Sequence, residues 1–186
     1  MSFSINSRRG QTLVEALVAL SILTVGFVGI VTLLTKSFQL NRTTSNDTQA
    51  TYLAAEGIEV AKNIIDYDVY YGLSLQQGSS TDDKWGCSFD LPRNTQTDYA
   101  LEYDTVPPSD CVTVMSPLTS DKLYFASSTD LYTYNSFGAQ PTDFTRDVLI
   151  TAVSNDEFDV QSKVAWSDGR LGNTITLEDH FYDWNQ

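Results

Sequence analysis

Residues 16–34, ALVALSILTVGFVGIVTLL, hold no charged side chain in 19 positions. As a helix rising about 1.5 Å per residue, this run reaches roughly 28 Å, close to the hydrocarbon core of a bilayer. No later stretch of the 186-residue chain compares with it. Arg8 and Arg9 precede it and the first acid is Glu15. Positive flanks stay cytoplasmic, so residues 1–10 are expected inside and residues 36–186 exported. The run exceeds the roughly 7–15 apolar residues of a secretory signal, and its end, LLTKSF, lacks a small-x-small cleavage pattern. An uncleaved anchor is the plainest expectation from these features alone.

The net charge is −13, and loss of residues 1–10, with two arginines and no acids, takes it to −15. Such a head repels nucleic acid backbones and anionic membrane surfaces, which argues against nucleic acid as a partner. Cys87 and Cys111 both fall in the exported part. An oxidising space favours a disulfide between them over two separate thiols. Such a bridge would add roughly 3–4 kcal/mol in the chain-entropy model.

No proline occurs before Pro92. Ala50, Ala54, Gly57, Ile58, Ala61, Ile64 and Ile65 recur with helical spacing as one apolar stripe, with Glu56, Glu59, Lys62 and Asn63 largely off it. Gly57 on that stripe predicts close approach of another backbone. The polar stretch NRTTSNDTQ, residues 41–49, is a weak helix former between two better ones. One long helix over 11–66 is expected, apolar all round in 11–35 and amphipathic in 36–66.

Beyond it, residues 67–186 read as a β-rich head. Tyr99, Leu101 and Tyr103 alternate in a strand over 98–106. Phe144, Arg146, Val148 and Ile150 share one face of a strand over 143–153, and Phe158, Val160, Val164 and Trp166 one face of 157–166. SDGRLGN is a turn leading into TITLED, so these last strands form an antiparallel meander. Residues 68–97 and 104–121 read as loops, with a short strand at 131–134. The fold class expected is α+β, a long N-terminal helix packed on a C-terminal antiparallel sheet, because the helix stripe needs an apolar face to cover it.

Glu15 needs a reason. A charge at the centre of a span costs about 2.5–3.5 kcal/mol, less near an end. Snorkelling accounts for the acid but not for its setting: Arg8-Arg9, Gly10, then Gln11-Thr12-Leu13-Val14-Glu15 and the long apolar run. This pattern resembles the class III signal of type IV prepilins and of the related type II secretion pseudopilins. QATYLAAEGIEVAKNII, residues 49–65, is similar to the continuing helix of pilin-like subunits, those grouped with minor pilins in particular. The close resemblance covers residues 8–65.

The resemblance implies that residues 1–10 are a leader cut after Gly10 by prepilin peptidase, a membrane aspartyl protease. Gln11, where the family usually has phenylalanine, becomes the N-methylated N-terminus. Thr12, Leu13 and Glu15 become assembly residues. In a fibre core an unpaired carboxylate is costly, and the Gln11 amine of a neighbouring subunit is the natural partner for Glu15. The implied partners are the peptidase, other pilin or pseudopilin subunits, a membrane-embedded assembly platform and, before assembly, lipid. The implied location is the cytoplasmic membrane, single-pass, then a periplasmic or extracellular filament. Gly26 and Gly29, in a span that lacks the proline common in the family, are read as ordinary small residues. A type II secretion pseudopilin is the alternative within the family. An uncleaved membrane-anchored binding protein is the alternative from another class.

Other motifs carry less. His180 has no Ser or Cys nearby for a nucleophilic pair and reads as a surface or sheet-edge residue. The acidic stretches 79–83 and 154–159 lack the spacing of a calcium loop and read as solvated turns. One His and two Cys do not make a structural zinc site. No enzymatic activity, catalytic residue, cofactor or metal is expected.

Overall fold

The computed structural model describes residues 8–70, 88–89, 91, 94–108, 115, 120–154, 156–167 and 172–183. Among the described residues, one α-helix, α1, spans Arg8–Tyr70, and six strands follow it: β1 Gln96–Tyr99, β2 Lys122–Ala126, β3 Leu131–Thr133, β4 Gln140–Ala152, β5 Glu157–Ser167 and β6 Gly172–Tyr182. The chain divides into two compact units, Met1–Ser45 and Asn46–Gln186, and the division falls inside the polar stretch 41–49. The helix is unbroken there. Thr43 and Thr51 turn their hydroxyls back onto the carbonyls of Gln39 and Asp47, four residues earlier.

In the first unit the apolar run is exposed on every side. Its few polar side chains are satisfied within the helix. Ser21 donates to the Val18 carbonyl, Thr24 to Ser21, Thr32 to Val28 and Thr35 to Val31, at 2.8–2.9 Å.

In the second unit the strands form one antiparallel sheet in the order β3-β2-β4-β5-β6, with β1 also paired to β4. β4 is long enough for both. Its start pairs with β2 (Tyr124 opposite Pro141, Lys122 opposite Thr145) and its end with β1 (Tyr99 opposite Val148, Gln96 opposite Thr151). Alternation sets the faces. Phe144, Arg146, Val148, Ile150 and Ala152 of β4 are buried, as are Phe158, Val160, Ser162, Val164 and Trp166 of β5. The α+β architecture expected from the sequence, a long helix packed on an antiparallel sheet, is the one observed.

The stripe of α1 covers this face. Ala61, Ile64 and Ile65 pack with Phe89, Tyr99, Leu101, Val148, Ile150, Phe158 and Val160. Ala50, Leu53 and Ala54 pack with Leu123, Phe144, Val164 and Trp166. Between the two clusters lie Gly57, Arg146 and Ser162, all buried. A Cβ on Gly57 would stand 2.5 Å from Ser162 Oγ and 2.9 Å from Val148 Cγ2. Glycine is needed here because the sheet comes close, but what approaches is side chains of β4 and β5 rather than a backbone.

Two further sequence expectations are corrected, and one strand had no expectation. α1 continues past residue 66 to Tyr70, because Asp68 is buried and accepts from the Ser88 amide at 3.0 Å and the Ser88 hydroxyl at 2.7 Å. The strand expected over 98–106 starts at Gln96 and ends at Tyr99, because Glu102–Thr105 folds into a turn. There the Thr105 amide donates to the Glu102 carbonyl at 2.9 Å and the Thr105 hydroxyl accepts from the Glu102 amide at 2.7 Å. Tyr103 is accordingly exposed. β2 was not anticipated. Its sequence KLYFA carries Leu, Tyr and Phe in a row rather than an alternation.

Candidate functional site

The N-terminal residues singled out from the sequence lie on the first turns of α1. The Gly10–Gln11 bond is in helical backbone, and Gln11, Thr12, Leu13 and Glu15 are exposed. Gln11 and Glu15 are four residues apart, so they share a helix face. Leu13, Val14, Leu17 and Val18 flank Glu15 and are more than half exposed. In water such a surface is costly at about 25 cal/mol per Å² of apolar area, so this segment is built for an apolar surrounding. Among the described residues, α1 is the one helix long and apolar enough to cross a membrane. Cys87 and Cys111 lie outside the described residues, as does the acidic stretch 79–83.

The head holds a buried polar knot that the sequence showed only in part. Alternation puts Arg146 on one strand face with Phe144, Val148 and Ile150 but does not single it out, and its partners were not legible in the sequence. Its Nη1 donates to the Leu53 carbonyl and to Glu56 Oε1, both at 3.1 Å, its Nη2 to the Leu101 carbonyl at 2.6 Å, and its Nε to the Tyr134 hydroxyl at 3.0 Å. The Tyr134 hydroxyl in turn donates to the Arg146 carbonyl at 3.0 Å. Glu102 accepts from the Tyr134 amide at 2.8 Å. Burial works against the Arg146 charge, but Tyr134 and Glu56 outweigh it and hold its pKa above the ordinary value. Burial pushes the Tyr134 phenol up, against the pull of Arg146. The knot joins α1, the segment after β1, the end of β3 and the middle of β4. It is a structural centre, and nothing reactive is exposed in it.

On the opposite face of the sheet, β5 and β6 bring together Glu157, Asp159, Glu178, His180 and Tyr182. Asp159, Glu178 and His180 offer one ligand atom each, all within 4.8 Å of one another. The Asp159 carboxyl is pushed up, first by desolvation and then by Glu178, while His180 pulls the other way. His180 is on the edge strand and about half exposed.

Residues 5–31 match the family model described as the prokaryotic N-terminal methylation motif. That motif is the class III signal peptide of type IV pilins, so the resemblance read from Gly10 to Glu15 and the apolar run holds. It indicates a type IV pilin-like prepilin, processed by a prepilin peptidase and assembling with other pilins. With the long apolar helix, the motif suggests membrane anchoring followed by filament assembly. No curated protein and no solved structure matches the chain.

Proposed function

We propose that this chain is a structural subunit of a type IV pilus or pilus-like filament. Prepilin peptidase removes the leader 1–10 after Gly10 and the new N-terminus, Gln11, is N-methylated. The helix over 11–35 holds the subunit in the cytoplasmic membrane with residues 36–66 and the head over 67–186 exported. In the filament the same helix packs among its copies, and Glu15 meets the Gln11 amine of a neighbour. The observation that carries this reading is the methylation motif over residues 5–31 running directly into an exposed apolar helix. Thr12 and Leu13 complete the segment that the peptidase and the neighbouring subunits read, and Cys87 and Cys111 pair after export.

A pilus subunit and a type II secretion pseudopilin share all of these steps, and no feature of the head's described residues favours the second. The test is the intact mass of the chain expressed with and without prepilin peptidase. Loss of residues 1–10 and gain of one methyl group, both dependent on the peptidase, are expected. A chain that keeps its leader beside an active peptidase is an uncleaved anchor, and the proposal fails.

A further inference from the structure

We propose that Asp159, Glu178 and His180 form a site for a divalent cation of the zinc type on the sheet face turned away from α1. Asp159 of β5 lies directly opposite His180 of β6, and Glu178 stands two residues along β6 on the same face. Their ligand atoms already gather within 4.8 Å. Ligands on one zinc at about 2.0–2.2 Å stand roughly 3.3–3.6 Å apart in a tetrahedron, so small side-chain rotations close the site.

Two features set this cluster apart from a chance gathering of surface acids. The imidazole is already oriented. Its Nδ1 is 3.1 Å from Glu157 Oε1, an oxygen that also accepts from the Tyr182 hydroxyl at 3.0 Å, and its ring stacks on Tyr182. A histidine with one nitrogen tied to a carboxylate presents the other as a basic lone pair, the arrangement found around metal-bound imidazoles. Nε2 faces Glu178 Oε1 at 3.4 Å. The second feature is Asp159. One of its oxygens accepts from Gln161 at 3.3 Å, while Oδ1 is shut off from solvent with no hydrogen-bond partner. A shielded carboxylate oxygen without a donor is costly, and a cation satisfies it.

The donor set chooses the ion. Calcium and magnesium take oxygen ligands, whereas one imidazole with two carboxylates suits zinc or a first-row neighbour. Two carboxylates neutralise the divalent charge, which relieves the repulsion among Glu157, Asp159 and Glu178. His180 keeps 45 % of its side-chain surface, so the fourth position is open to water or to a group on another molecule.

The test is calorimetric titration of the purified full chain in detergent with zinc chloride, its free thiols alkylated without reduction, and cobalt chloride as a spectroscopic probe. One zinc per chain and tetrahedral cobalt absorption bands are expected. His180→Ala should weaken binding at least about 100-fold, and Glu157→Gln, which reaches the ion only through the imidazole, by about 10- to 100-fold. Circular dichroism spectra of both variants should overlay that of the parent, because both positions lie on the open face. Absence of zinc uptake by the parent, equal uptake by His180→Ala, or displacement of zinc by an equal concentration of calcium chloride would each overturn the site.

Discussion

The guanidinium of Arg146 and the carboxylate of Glu56 meet at 3.1 Å, and the nitrogen that makes this contact also holds the Leu53 carbonyl, three residues earlier on α1. One side chain of the sheet thus grips the helix at two points on adjacent turns. A slide of α1 along the sheet by one turn, about 5.4 Å, breaks both contacts at once. The pair therefore fixes the register of helix on sheet, while the apolar clusters on either side supply most of the burial.

Removing a partner from a buried pair leaves an uncompensated polar group. Arg146→Ala strands the Leu101 carbonyl and leaves Glu56 without its counter-charge, although the Tyr134 hydroxyl still donates to the main-chain carbonyl at 146, and should cost about 3–5 kcal/mol. Glu56→Gln keeps an acceptor for Nη1, and its edge still reaches solvent, so about 1–2 kcal/mol is expected. Denaturant unfolding of the purified chain measures both. A smaller loss for Arg146→Ala than for Glu56→Gln would mean that the knot does not depend on arginine.

Gly57→Ala sets two effects against each other. Alanine gains about 1 kcal/mol of helix propensity over glycine. Its Cβ would meet Ser162 Oγ at 2.5 Å and Val148 Cγ2 at 2.9 Å, with little room to yield in a packed core. Overpacking of that kind costs about 1–3 kcal/mol, so net destabilisation is expected, partly relieved by Ser162→Gly on β5. Thermal unfolding of the single and double variants checks this, and a raised melting temperature for Gly57→Ala alone would contradict it.

Asp68 carries a pH dependence. Burial raises its pKa above the ordinary 3.8, although the Ser88 amide and hydroxyl pull it down. A raised folded-state value means that its contribution to stability is fully present below about pH 3.8 and is lost as pH rises through the folded value. Asp68→Asn keeps one acceptor oxygen for the Ser88 amide, and its Nδ2 donates to the Ser88 hydroxyl, which reverses to accept, all without the charge. At pH 7 it should match or exceed the parent in stability, and its margin over the parent should shrink on acidification towards pH 4. Asp68→Ala should cost about 1–3 kcal/mol, since the buried Ser88 groups lose their acceptor. Unfolding midpoints across pH 4–7 give the comparison, and an Asn variant uniformly weaker than the parent would refute the assignment.

Glu15 should separate processing from assembly. Glu15→Ala is expected to be cut after Gly10 yet enter filaments poorly, and Glu15→Gln to behave alike, since shape without charge leaves the neighbouring amine unpaired. Mass spectrometry of the membrane fraction and subunit counting in sheared filaments read the two steps. Assembly at the parent's level by either variant would remove the charge pair from the account.

The parts legible in the sequence were those that repeat. The 19-residue apolar run, the stripe from Ala50 to Ile65 and the alternation from Phe144 to Ile150 each recur often enough to declare an element and its buried face. β2 was missed because KLYFA runs Leu, Tyr and Phe together and shows no alternation between faces. The knot was half visible. Arg146 was legible only as one member of an alternating strand face, and Glu56, Leu101 and Tyr134 are distant in the chain and meet it only through tertiary packing. The cluster of Asp159, Glu178 and His180 was hidden differently. Once the hairpin pairs Ser167 with Gly172 every later pair follows, so Asp159 opposite His180 depends on where one turn closes.

The hydroxyls of Ser21, Thr24, Thr32 and Thr35 each lie against a carbonyl of their own helix. A rod that settles its polar groups internally has no preference between acyl chains and other rods on hydrogen-bonding grounds. Moving it from one to the other breaks no such bond, so dispersion contacts and the single acid near its start are left to decide which company it keeps.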